Sequence, residues 1–205
     1  MNNKQTCYNY NGVLIPALDV SKMIYMLSRF SKKKSREDIF YNVCFCILVP
    51  QSKFSITLEI VKELKKRDFF KKELTKDDVF AIISKIRYRR RKVNYLMKIK
   101  PQFNEILAVL GSIEDSQTKR KWLVKNLYGL GLKTASHFLR NMGATDLAII
   151  DTHILKFLKI TGKWNYFKIE KRFKKMAKKY KLSASILDAL IWKHYSGTKW
   201  EDFRY

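Results

Sequence analysis

Lys133 and Asp151 are the two residues whose types and spacing suit covalent chemistry. A lysine amine attacks an electrophilic carbon and forms a Schiff base. A carboxylate stabilises the positive charge that develops on a sugar when a glycosidic bond breaks. Lys133 stands just past a pair of glycines, Gly129 and Gly131, and Asp151 follows eighteen residues later, behind an apolar run. Each has an ordinary reading too. Lys133 alone is a solvated lysine on a helix surface, and Asp151 before Thr152-His153-Ile154 is a helix N-cap. The combination with the glycine pair is what singles them out. A free lysine titrates at about 10.4. An amine that attacks near neutral pH must therefore sit where its cation is disfavoured, as at a helix N-terminus or in a basic field.

The elements that must position these groups follow from the flanking pattern. Trp122, Leu123, Asn126 and Leu127 share one side of a helix that ends near Tyr128. Ala135, Phe138, Leu139 and Met142 fall at i, i+3, i+4 and i+7, so a second helix packs one face and stops at Gly143. Residues 121–143 thus read as a helix–hairpin–helix. Gly129 and Gly131 are both expected to take backbone angles that side chains forbid. The tight turn leaves amide N–H groups unpaired at a helix start, which makes a seat for phosphate.

The strings LYGLGLKTA and, after it, IIDTH carry a resemblance. They are similar to the helix–hairpin–helix DNA glycosylase superfamily, and most like its archaeal type 2 branch of 8-oxoguanine DNA glycosylase/AP lyases. The resemblance runs from about Ser35 to Gly197. It implies an enzyme that excises 8-oxoguanine and nicks the abasic strand by β-elimination through a Schiff base on Lys133, with Asp151 stabilising the sugar cation. It implies that Gly129 and Gly131 bind DNA, and that Gln51, in the polar wedge VPQS, slides into the duplex where the damaged nucleotide leaves. A phosphate-side or orienting role falls to His153. Tyr88 and Trp192 are implied to flank the extruded base, and Lys199 loosely fits a base-recognising lysine near the terminus. No catalytic metal and no iron–sulfur cluster are implied; a monovalent cation at the hairpin carbonyls is. The partner is double-stranded DNA containing oxidised guanine, met by a monomer. Two alternatives stay open: a related glycosylase/AP lyase for other oxidised bases, and a non-catalytic helix–hairpin–helix DNA-binding protein.

Composition agrees with a polyanionic partner. The net charge is +25, from 43 Lys plus Arg against 18 Asp plus Glu. Such a field draws a chain to nucleic acid or to an anionic membrane surface. No run of eighteen apolar residues marks a membrane span and no signal peptide is evident, so a cytoplasmic, nucleoid-associated location is expected. Arg89 and Arg90 lie in IRYRRRKVNYLMK, where cations interleave with Tyr88 and Tyr95, a mixture suited to phosphate contact and base stacking. Cys44 and Cys46, one residue apart in an apolar helix, read as small core residues. The three histidines, His137, His153 and His194, have no zinc-site spacing.

The fold expected is all-α, a single glycosylase unit over 1–205 with an active-site cleft between two lobes. A helical-bundle lobe spans about 35–125, and the second lobe takes 1–34 and 126–205, hairpin included. Residues 1–18 form an arm packed on the body. Ser35, Thr75 and Ser183 mark capped helix starts, and Ser112 to Asp115 suggests another. Pro50 ends one helix and Pro101 restarts another.

Overall fold

Asn11-Gly12 sits between YNY and VLIP, a pairing that a two-residue hairpin favours because both turn positions need positive φ. The computed structural model, which describes residues 6–200, has φ of +53° and +87° there. β1 (Cys7–Tyr10) and β2 (Val13–Pro16) pair antiparallel, with Tyr10 opposite Val13. The N-terminal arm is thus a small β-hairpin attached to an otherwise helical fold, as the all-α expectation requires of the rest. The remainder is helical, and among the described residues no helix is long and apolar enough to cross a membrane.

Contacts divide the chain into a terminal unit (1–32 and 139–205) and a central unit (33–138). The central unit holds α2 (Arg36–Leu48), α3 (Phe54–Lys66), α4 (Lys76–Ile82), α5 (Arg89–Gly111) and α6 (Ser116–Asn126). It also holds the first part of α7 (Leu132–Asn141). α2 is buried on all sides from Val43 to Leu48, as its all-round apolar sequence requires. Phe40 meets Tyr41, Phe69, Phe70 and Phe103 at ring distances of 5.1–5.7 Å, in tilted or edge-on geometry. Cys44 and Cys46 are fully buried, and burial pushes the Cys44 thiol up.

Two expectations change here. The division between units falls at Phe138/Leu139, inside α7, rather than at 125/126, so the hairpin and Lys133 belong to the central unit. Arg120 on α6 donates to Ser136 on α7 at 2.9 Å, and His137 meets Phe45 of α2 edge-on at 5.8 Å. These contacts tie the start of α7 to the central helices. Pro101 does not restart a helix either: α5 runs through it unbroken. Val93, Leu96, Ile99, Phe103 and Ile106 all lie buried along that helix. Burying them offsets the roughly 3 kcal/mol that an interior proline costs.

The terminal unit is built round α10 (Ala184–Ser196), whose Leu187, Ala189, Leu190 and Ile191 are buried. α1 (Ala17–Ser28), α8 (Thr152–Phe157) and α9 (Tyr166–Lys179) pack on it. In α1 the inward residues are Val20 and Met23, while Ile24 is 44% exposed.

Candidate active site

Gly129 is the pivot of the hairpin. Its φ is +86°, and an added Cβ would lie 2.5 Å from Cδ2 of Tyr95 on α5. The same face of α5 supports the rest of the turn. The Lys98 ammonium lies 3.6 Å from the Tyr128 ring centroid, and Gln102 Nε2 donates to Asn126 O at 3.2 Å. Gly131 differs from expectation: its φ is outside the left-handed region and an added Cβ would meet nothing within 4 Å. It serves instead as the N-cap of α7, its carbonyl taking Ala135 N–H at 2.9 Å. Having no side chain, it leaves the first-turn N–H groups of α7 uncapped and open to an anion. Lys133 is the second residue of that turn and is exposed. Gly129→Ala should therefore lower Tm by several degrees, since the backbone angle alone costs about 1–2 kcal/mol. It should also weaken binding to undamaged duplex. Thermal melts and a fluorescence titration check both; an unchanged Tm would mean that the turn gives up its left-handed angle without cost.

The hairpin carbonyls of Tyr128, Gly129 and Leu130 accept no amide among the described residues. They are neutral oxygens of the kind an alkali cation takes. Among the described residues no group of three or more His, Cys, Asp or Glu could hold a metal ion.

Gln51 and Tyr88 share an unusual property. Both are non-glycine residues in left-handed backbone, with φ of +56° and +58°. Gln51 is exposed in the turn between α2 and α3, and Tyr88, 55% exposed, is the N-cap of α5. Strained backbone of this kind gathers at functional sites. Arg89 and Arg90 follow in the first turn of α5, both exposed; the Arg89 guanidinium lies 4.6 Å over the Phe80 ring.

In the terminal unit, Asp151 is the N-cap of α8. Its Oδ1 accepts His153 N–H at 2.9 Å and Ile154 N–H at 3.1 Å. The segment before it, Leu147–Ile150, is buried yet forms neither helix nor strand. Buried backbone needs partners, and side chains supply them. Ala148 N–H donates to Glu170 Oε1, Ile149 N–H to Asp188 Oδ2 and Ile150 N–H to the Tyr166 hydroxyl, at 3.2–3.4 Å. The Tyr166 hydroxyl in turn donates to Ala148 O at 2.9 Å. Arg140 Nη1 reaches the same Asp188 oxygen at 3.4 Å. Glu170, Asp188 and Tyr166 thus hold the segment that delivers Asp151, and the sequence reading did not single them out. Two acids and a phenol amid lysine-rich or apolar helix carry no local signal of this task.

His153 stacks on Tyr195 at 6.2 Å, its ring nearly parallel at 4°. Trp192 on α10 is half-buried. Lys199 is exposed and lines a recess of about 460 Å³ with Asp19, Lys193, His194 and Trp200. The chain around it is anchored: Lys193 Nζ and Trp200 Nε1 donate to Asp19 at 2.9 and 2.8 Å. Burial works against the Asp19 carboxylate, yet these bonds hold it below the usual range. Residues 201–205 of the C-terminal extension lie outside the described residues.

The site residues therefore fall into two sets. The central unit carries Gln51, Tyr88, Arg89, Arg90, Gly129, Gly131 and Lys133; the terminal unit carries Asp151, His153, Trp192 and Lys199. Arg120 lies in the basic run Lys119-Arg120-Lys121 that leads into the hairpin. It is 1% exposed, bonded to Ser136, and holds α6 to α7. Its spacing of three and seven residues from Leu123 and Leu127, both buried, was the available signal.

Known proteins match this architecture over most of its length. A family model described as 8-oxoguanine DNA glycosylase matches residues 20–182. The 8-oxoguanine DNA glycosylase/AP lyase of Thermoplasma acidophilum is 32% identical, covering 81% of this chain and 84% of its own. The Methanocaldococcus jannaschii 8-oxoguanine glycosylase/lyase, solved in complex with a 15mer DNA containing 8-oxoguanine, superposes with a TM-score of 0.77. It is 31% identical, with 87% of this chain and 90% of that one covered. The 8-oxoguanine DNA glycosylase of Thermotoga maritima gives 0.75 at 26% identity, covering 87% and 89%. With a match across residues 20–182 and about 30% identity over most of its length, the chain belongs to the 8-oxoguanine DNA glycosylase family.

Proposed function

We propose that the protein removes 8-oxoguanine from double-stranded DNA and then nicks the abasic strand through a Schiff base on Lys133. The observation that carries this reading is Lys133 in the uncapped first turn of the hairpin's second helix, in a chain that also presents a capped carboxylate at Asp151. As the bond from C1′ to the base breaks, positive charge grows on the sugar and the Asp151 carboxylate stabilises it. The Lys133 amine, having lost its ammonium proton, attacks C1′, and the base departs. Ring opening gives an imine at C1′. Loss of a 2′ proton then expels the 3′ phosphate, and hydrolysis of the imine frees the lysine.

The target base must leave the stack first, which costs a few kcal/mol. Gln51 fills the gap it leaves, while Tyr88 and Trp192 take the faces of the base and Lys199 its edge. The bare N–H groups of α7 hold a phosphate, and Gly131 lacks a side chain because that phosphate approaches closely. His153, Arg89 and Arg90 contact neighbouring phosphates. The free hairpin carbonyls would hold a monovalent cation, which supplies local neutralisation of the phosphate. The enzyme works as a monomer in the nucleoid.

The test is a duplex carrying one 8-oxoguanine, incubated with the protein and borohydride. Strand nicking at the lesion and a covalent protein–DNA adduct are expected. Excision of thymine glycol but not 8-oxoguanine would move the substrate to oxidised pyrimidines. Binding with neither product would leave a DNA-binding protein without catalysis.

A further inference from the structure

Lys92 is a lysine 5% exposed inside the central unit, paired with no carboxylate among the described residues. Its Nζ donates to Leu48 O at 2.7 Å, to Pro50 O at 2.8 Å and to Ser52 Oγ at 3.0 Å. An ammonium has three protons, and all three go to the turn that carries Gln51. The backbone N–H of Lys92 donates to Tyr88 O at 3.0 Å. One residue is therefore bonded to the turn of one left-handed residue and to the carbonyl of another, Gln51 and Tyr88. Such backbone angles persist only where surrounding contacts over-determine them.

A buried cation is an expensive way to close a helix end. Burying an ammonium without a counter-charge works against folding, and a methionine of similar length would pack there without that cost. Burial alone draws the Lys92 ammonium down to about 8, which still leaves it charged, with all three donors, near neutral pH. Its hydrogen bonds run from the buried end of α2 to a turn whose tip, Gln51, is exposed.

We infer that Lys92 is a positioning residue for lesion opening: it locks the 48–52 turn in the conformation that presents Gln51 to the duplex, and anchors that turn to the helix start bearing Tyr88. The inference rests on the reading of Gln51 as the group that fills the vacated stack.

A double-mutant cycle tests it, using the full chain and a duplex with 2-aminopurine beside 8-oxoguanine. The readouts are the fluorescence rise on base extrusion and the single-turnover excision rate at saturating protein. Gln51→Ala and Lys92→Met are each expected to suppress the fluorescence rise and slow excision about tenfold or more, with Kd for undamaged duplex within about twofold of wild type. The double variant should be no slower than Gln51→Ala alone, because Lys92 acts through Gln51. Ser52→Ala, which keeps two of the three acceptors, should slow excision about threefold and lose that effect when Gln51 is already alanine. It carries the test if Lys92→Met does not fold. Losses that multiply in the double variant, or wild-type excision in Lys92→Met or Ser52→Ala, would overturn the inference while leaving the wedge in place. Wild-type extrusion and excision in Gln51→Ala would remove the wedge reading itself, and this inference with it.

Discussion

Asp151→Asn is expected to bind 8-oxoguanine duplex as wild type does and to excise the base about a hundredfold to a thousandfold more slowly. The geometry makes the substitution clean. Asp151 Oδ1 caps α8 through His153 N–H and Ile154 N–H, and asparagine caps as well as aspartate. The side-chain oxygen that holds the helix is kept; the negative charge is lost. Loss of one preorganised electrostatic group typically costs this much in rate. Single-turnover excision and a binding titration on the same preparation separate the two effects. Asp151→Ala is the contrast, since it also removes the cap and should destabilise the fold by about 1 kcal/mol. Excision by Asp151→Asn at the wild-type rate would take this carboxylate out of the chemistry.

The second large effect is expected at Lys133. Lys133→Gln should form no adduct with 8-oxoguanine duplex under borohydride and should fail to nick a preformed abasic site. Lys133 is exposed in the first turn of α7, and glutamine is close to lysine in helix propensity, so Tm should hold. The abasic-site assay isolates the lyase step from base removal. A normal adduct in this variant would assign the Schiff base to another amine, and with 32 lysines in the chain that outcome is chemically available.

How much of this was legible from residues alone varied by feature. Capped starts were plain at Ser35, Thr75 and Ser183, each of whose side chains accepts the backbone N–H three residues on; in the stretch from Ser112 to Asp115 the cap is Asp115, while Ser112 ends the helix before. The hairpin and the capping role of Asp151 were legible for the same reason: turns and caps are built from neighbours within a few residues. Asn11-Gly12 was just as local a signal, and the small β-hairpin it turns is an addition to the expected helical fold. Pro101 misled, because a local breaker was outweighed by the buried face of α5.

Taken by itself, the sequence determined the helical elements, their caps, the glycine hairpin, the basic field, and the presence of an amine and a carboxylate suited to one reaction. Tertiary structure alone decided which polar residues leave the surface. Lys92 and Arg120 sit in basic runs where solvation is the natural reading, yet both are buried and bonded. Glu170 and Asp188 turn inward to hold the segment leading to Asp151. The reason is range. A cap or turn is settled by atoms a few positions away, whereas the acceptors of Lys92 lie 40 to 44 residues distant and that of Arg120 lies 16. No spacing rule connects such pairs before the helices pack, and burial, which sets the cost and the task of a charge, exists only once they have.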